Sequence, residues 1–150
     1  KLKELTNDGN FRNKVNAIMD DLVAHGESPR IFEAMRPEAQ QREKVRLGYS
    51  KTMNSYHRKR GSDKLGKAAD IADKTKAWNA PNRFWFLLAS SAWAHGVGCG
   101  ILFGLNKSQK EAFKNAIKTL REAGWPKNHP AYQAQTGWDG AHVQYDSNWD

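Results

Sequence analysis

Apolar side chains recur every three to four residues in several parts of the chain, which predicts helices with one buried face. A first helix is predicted to end at Gly26. Its buried face consists of Phe11, Val15, Ile18, Met19, Leu22 and Val23. A more polar second helix is predicted over residues 37–47, and Pro81 can open a strongly apolar third one that stops near the glycines of residues 96–100.

A fourth helix is predicted up to Gly124, and Ser108, Gln109, Lys110 and Glu111 resemble a capping box at its start. Three short segments, residues 30–34, 68–72 and 141–145, have the apolar or alternating character of strands. Residues 48–67 are rich in Ser, Gly, Lys and Arg and predict a long loop. The pattern favours an α+β fold in which helices pack on a small antiparallel sheet.

The composition narrows the class of protein. At 150 residues the chain can form one domain with a sizeable core, and we expect a single domain over residues 1–150. The only cysteine, Cys99, excludes an internal disulfide framework and a cysteine-rich structural zinc site. Ser, His and Gly interrupt the most apolar stretch, residues 84–105, so no membrane span is predicted. The net charge of +8 implies attraction to a polyanion, either nucleic acid or the acidic polymers of a bacterial wall.

Two histidines and one aspartate, His57, Asp70 and His142, are candidate ligands of a catalytic zinc ion. Two imidazoles and a carboxylate leave the fourth tetrahedral position open for water, which distinguishes a catalytic zinc site from a structural one. Asp139, three residues before His142, is a candidate base. The residues alone leave other interpretations open. A single histidine is more often a surface or hydrogen-bonded residue, and Trp-Asp-Gly around Asp139 is a common turn composition.

The order of these residues resembles the VanY-like zinc peptidoglycan peptidases, whose first signature is Ser-x-His-x-x-Gly-x-Ala-x-Asp-Ile. The corresponding residues here are Ser55, His57, Gly66, Ala68, Asp70 and Ile71. Asp139-x-x-His142 is similar to the second motif of that family. An upstream Arg-Ser-x-x-x-Gln segment would match Arg36 and Gln41, and residues 94–100 are similar to a glycine-rich turn between the motifs.

The resemblance implies a hedgehog/DD-peptidase-like fold and zinc-assisted peptide hydrolysis, with Zn2+ on His57, Asp70 and His142. Asp139 would act as the general base, and Arg36 would hold a substrate carboxylate or the developing oxyanion. Gln41 and Ser55 would contact the substrate or support the ligands. From the residues alone, a surface salt bridge of Arg36 with Glu33 or Glu38 is favoured over a role at the site.

The family includes D-alanyl-D-alanine carboxypeptidases and the L-alanyl-D-glutamate endopeptidases of phage endolysins. An Asp rather than a Glu at Asp139 resembles the endopeptidase branch, so we expect cleavage within the stem peptide of peptidoglycan. The expected protein is a monomeric endolysin with no signal peptide, which waits in the host cytoplasm before lysis and then acts on the wall. The alternatives are a carboxypeptidase, an inactive zinc-binding relative and a basic nucleic-acid-binding domain.

Two segments depart from the family pattern. Residues 58–65 insert about six residues between His57 and Gly66, and their composition predicts a basic, flexible loop. Residues 101–137 are also longer than expected between the glycine-rich turn and the second motif. The second of these could shape a substrate cleft or bind the wall.

Overall fold

The centre of the fold is a four-stranded antiparallel sheet in the order β1-β2-β4-β3. The structure, a computed structural model, describes residues 1–35, 38–48 and 55–150. The strands are β1 (Pro29–Glu33), β2 (Ala68–Asp73), β3 (Gly98–Cys99) and β4 (His142–Gln144). The three predicted strand segments are confirmed, whereas β3 lies in the region where only a tight turn was expected.

Four α-helices in the described part of the chain accompany the sheet, and each corresponds to a predicted helix. They are α1 (Phe11–Ala24), α2 (Glu38–Arg46), α3 (Asn82–Ala94) and α4 (Lys107–Ala123). Gly26 and Gly124 follow α1 and α4 with φ of +84° and +77°, a conformation that glycine adopts without a Cβ penalty. Within the described ranges, no helix combines the length and the apolar character needed to cross a bilayer.

The core lies between one face of the sheet and helices α1, α3 and α4. Alternate strand residues supply the sheet face of this core, namely Ala69, Ile71, Cys99 and Val143. The helices contribute Val15, Ile18, Leu22, Phe84, Leu88, Phe113, Ile117 and Leu120, all fully buried. Burying one such side chain contributes roughly 1.5–3 kcal/mol, so this layer holds the sheet in place. The opposite face of β2 and β4 carries the polar side chains of Asp70, His142 and Gln144 beside Ala68 and Ala72.

The capping box of α4 lies two residues before the predicted position. The Asn106 side chain accepts a hydrogen bond from the Gln109 backbone N–H (2.8 Å), and the Gln109 side chain accepts one from the Asn106 N–H (2.9 Å). Ser108 lies inside the first turn instead of capping it. Asparagine satisfies the exposed N–H groups of a first turn as well as serine does, which explains the shift.

The segment between His57 and Gly66, predicted to be flexible, is bound to the N-terminus of the chain. The Asp63 carboxylate accepts hydrogen bonds from the Thr6 hydroxyl (2.7 Å) and the Asn7 N–H (2.9 Å). In return, the Asp8 carboxylate accepts two bonds of 2.6 Å from the backbone and side chain of Ser62. The basic composition of the segment does not indicate this attachment. It depends on Asp63 within the segment and on Asp8 near the N-terminus.

Candidate metal centre

Asp70 and His142 are brought together by the register of the sheet. The two residues lie directly opposite each other on the antiparallel strands β2 and β4. Side chains of opposed residues project from the same face of a sheet, about 5 Å apart at Cβ. The His142 Nδ1 accordingly lies 3.8 Å from the Asp70 Oδ1, on the face turned away from the helical core.

His57 reaches the same point from a short 3-10 turn, Tyr56–Arg58. The hydroxyl of Ser55 caps this turn by accepting a hydrogen bond from the His57 N–H (3.2 Å). The Arg60 guanidinium donates to the His57 carbonyl (2.9 Å). Ser55 was expected to contact substrate or support a ligand, and in the structure it holds the backbone of His57.

The three candidate ligands converge with donor atoms within 4.8 Å of one another. The His57 Nε2 lies 3.2 Å from the Asp70 Oδ1 and 3.3 Å from the His142 Nδ1. Both histidines are only 4% exposed. The His57 Nδ1 is buried and finds no hydrogen-bond partner within the described ranges. Two imidazole nitrogens and a carboxylate oxygen facing one buried point form a donor set that fits zinc.

Backbone hydrogen bonds join Asp139 to His142 and to Gly100. Its carbonyl accepts the His142 N–H (3.1 Å), and its own N–H donates to the Gly100 carbonyl (3.3 Å). A Cβ at Gly100 would lie 2.2 Å from the Asp139 carbonyl oxygen and 2.9 Å from the Asp139 Cβ, distances that real contacts almost never show. Glycine at position 100 therefore permits the approach of the segment that carries Asp139 and His142.

Two expected site residues lie partly or wholly outside the described structure. Arg36 falls outside the described residues. Gln41 belongs to helix α2, but only its backbone is described. Their expected roles stay predictions.

An aromatic surface adjoins the cluster. The Phe103 ring lies 5.3 Å from both the His142 ring and the Trp138 ring, centre to centre. Trp138 is 76% exposed, whereas Trp125 and Tyr132 are buried in the core. A cleft of about 190 Å³ is lined by residues that include Trp78, Asn82, Trp85, Gly140 and Ala141.

Other residues with reactive side chains are engaged elsewhere. Burial raises the pKa of the Cys99 thiol to about 12, which leaves it protonated and unsuited to nucleophilic attack. The His95 Nε2 lies 3.1 Å from an Asp21 carboxylate oxygen that also accepts a bond from the Ser91 hydroxyl (2.6 Å). This arrangement agrees with a hydrogen-bonding role for His95 rather than a ligand role.

Sequence reasoning missed three residues around the cluster: Tyr56, Gln144 and Asp146. The Gln144 Oε1 lies 2.9 Å from the His142 Nε2. The Tyr56 hydroxyl donates to the Asp146 carboxylate, and this bond together with burial raises the pKa of Tyr56 to about 12. The spacing His142-x-Gln144 could have indicated the first contact, because residues two apart on a strand share a face.

Comparison with known proteins finds similarity at the level of structure. No protein-family model matches the chain, and no curated protein matches it. The structure is similar to that of the L-Ala D-Glu endopeptidase ChiX of Serratia marcescens, with a TM-score of 0.52 and 18% sequence identity. The alignment covers 95% of this chain and 81% of that chain. The chain therefore shares the α+β fold of this endopeptidase across nearly its whole length.

Proposed function

We propose that the protein is a zinc-dependent peptidoglycan peptidase that hydrolyses a bond of the stem peptide. The observation that carries this proposal is the buried convergence of His57, Asp70 and His142 on a fold shared with an L-Ala D-Glu endopeptidase. A zinc ion on these three side chains would supply Lewis acidity toward a peptide carbonyl and lower the pKa of a water molecule toward about 7. The protein's own residues would transfer the protons and bind the substrate.

Asp139 is the proposed general base. Its carboxylate would accept the proton of the attacking water and pass it to the nitrogen of the leaving amine, so that no proton is lost. Its turn is joined to His142 by a backbone hydrogen bond of 3.1 Å, which supports a constant position relative to the cluster. Arg36 would bind a substrate carboxylate or the developing oxyanion, since its planar fork suits both.

We further propose that the bond cleaved is the one between L-alanine and D-glutamate. Two features support this choice over removal of a terminal D-alanine: the aspartate at position 139 and the activity of the structural neighbour. A cleft lined in part by Gly140 and Ala141, which follow Asp139 in the chain, is the proposed path for peptide, and Trp138, which precedes Asp139, is exposed. An endolysin role, in which a monomer reaches the wall during phage lysis, is part of the same proposal.

The test is a digest of purified peptidoglycan by the zinc-loaded protein, analysed by mass spectrometry. New N-termini at D-glutamate are expected from the wild type. Asp139→Ala is expected to retain zinc but to lose about 10²–10⁴-fold in rate, because it lacks the general base. Asp20→Ala removes an exposed carboxylate of helix α1 that has no part in the proposed chemistry. It is the matched control and should retain the wild-type activity.

The alternatives give different outcomes in the same experiment. Loss of terminal D-alanine alone would assign the protein to carboxypeptidases. Full activity of Asp139→Ala would show that another group is the base. No cleavage of any wall type by protein with one zinc ion bound would contradict the peptidase proposal altogether.

A further inference from the structure

We propose that Gln144 is a positioning residue that fixes the tautomer of His142, so that Nδ1 carries the lone pair that binds a metal ion. The functional role of this tautomer rests on the proposed metal site, whereas the tautomer itself is inferred from hydrogen bonds alone. Gln144 follows His142 by two residues on β4, so both side chains lie on the same face of the sheet. Both are buried, with Gln144 6% exposed.

The orientation of the Gln144 amide follows from its second partner. The Gln144 Nε2 donates to the backbone carbonyl of Asp146 (3.1 Å). A carbonyl oxygen can only accept, so the amide must turn its N–H2 toward Asp146 and its oxygen toward His142. The reversed amide would place two acceptors against each other at a partly buried contact.

The orientation of the amide in turn determines which ring nitrogen of His142 carries the hydrogen. The Gln144 Oε1 can only accept, so the bond of 2.9 Å requires hydrogen on the His142 Nε2. A neutral imidazole carries one N–H, which leaves a lone pair on Nδ1. That nitrogen faces the His57 Nε2 (3.3 Å) and the Asp70 Oδ1 (3.8 Å), as a metal ligand must.

The neighbouring strand is built to accept this arrangement. A Cβ at Gly98 would lie 2.7 Å from the Gln144 Cγ and would also overlap the Asp146 carbonyl. Glycine at position 98 thus leaves room for the Gln144 side chain and the Asp146 carbonyl, whose hydrogen bond orients the amide toward His142. The Tyr56 hydroxyl donates to the Asp146 side chain. This bond connects the turn that carries His57 to the same hydrogen-bond network.

The experiment measures the imidazole tautomer in the metal-free protein by long-range proton–nitrogen NMR correlation above about pH 7.5, where an unperturbed histidine is mostly neutral. The wild type is expected to show His142 protonated on Nε2. Gln144→Leu is expected to lose this preference. Gln144→Glu loses the donor to the Asp146 carbonyl but keeps an oxygen that can accept from the His142 Nε2, and it is expected to keep hydrogen on that nitrogen. Gln133→Leu, an exposed glutamine on the turn Pro130–Gln133, is the matched control.

The second readout is affinity for zinc alone, measured by competition with a chelator. Loss of an outer partner of a metal-binding histidine typically lowers metal affinity about 10–100-fold, which is the range expected for Gln144→Leu. Gln133→Leu should match the wild type. His142 protonated on Nδ1 in the wild type would overturn the inference even if every variant failed to fold, as would wild-type affinity in a folded Gln144→Leu.

These results separate the inference from the proposed function. A wild type with the Nε2–H tautomer and zinc bound, but without activity on any peptidoglycan, would contradict the peptidase proposal and leave the role of Gln144 standing. An active wild-type enzyme with hydrogen on the His142 Nδ1 would support the peptidase proposal and contradict the role of Gln144.

Discussion

The two sides of the candidate metal site are held by different kinds of structure. Asp70 and His142 sit on paired strands whose other face is buried in the main core. His57 sits on a short turn whose connections include a serine cap, an arginine hydrogen bond, the Tyr56 bond to Asp146 and a segment bound to the N-terminus. The sheet side therefore owes its position to packing, and the loop side owes its position to hydrogen bonds near the surface.

The difference extends to the second nitrogen of each histidine. The His142 Nε2 has a buried partner in Gln144, whereas the His57 Nδ1 has none within the described ranges. Buried packing resists change until the whole domain unfolds, while surface hydrogen bonds open locally at lower free energy. We expect the metal to be retained or released chiefly through motion of the His57 side.

The largest effect on stability is expected on the sheet side, from Gly100→Ala. The added Cβ would overlap Asp139 and crowd His142, and such overpacking typically costs about 1–3 kcal/mol of unfolding free energy. Gly140→Ala is the matched control, since its Cβ would lie 3.6 Å from the Trp85 ring, an ordinary contact. Its change should stay within about 0.5 kcal/mol. Denaturant unfolding measures both, and equal values would contradict the tight fit at Gly100.

A pH effect is expected on the loop side. Hydrogen bonds from Ser62 to Asp8, and from Asn7 and Thr6 to Asp63, lower the pKa of each carboxyl below its usual 3.8. A lowered folded-state pKa stabilises the segment above pH 3.8, and this stabilisation is lost as pH falls through the folded-state pKa. Protection of the Gly61 and Lys64 amides against hydrogen exchange should therefore decrease in that range in the metal-free protein, after correction for intrinsic exchange.

The double variant Asp8→Asn, Asp63→Asn should have weaker protection of these amides at neutral pH and no further loss in the acid range. Amides of β2 serve as the internal reference and should be unaffected by the substitution. A segment that stays fully protected in the double variant would show that the two carboxylates do not anchor it.

The smallest effect on stability is expected from Tyr56→Phe. The Tyr56 hydroxyl joins the two sides of the site through its bond to Asp146. Loss of the hydroxyl bond to Asp146 should cost at most about 1 kcal/mol of unfolding free energy. Zinc affinity should fall slightly, because the turn of His57 loses its tie to the strand segment. Tyr132→Phe removes a comparable bond, of 2.6 Å to the Pro126 carbonyl, away from the metal cluster. It should change stability without changing zinc affinity, and an equal effect of both on affinity would contradict the linking role.

Much of the local structure could be predicted from the chain itself. The apolar spacing of Phe11, Val15, Ile18 and Leu22 is sufficient for α1, and the same logic located α3 and α4. Short motifs also singled out His57, Asp70 and His142 as one set, although they lie far apart along the chain. Helix spacing and short motifs depend on neighbours within a few residues, which is why they are visible in the sequence.

What only the tertiary structure decided depends on contacts between distant parts of the chain. Thr6 and Asp63 are 57 residues apart, and nothing in the basic segment between His57 and Gly66 indicates where its acidic anchor would bind. The approach of Asp70 to His142 likewise depended on strand register, since a shift of one residue would turn these two side chains to opposite faces. Periodicity determines which residues can share a face, and only the packed sheet determines which faces meet.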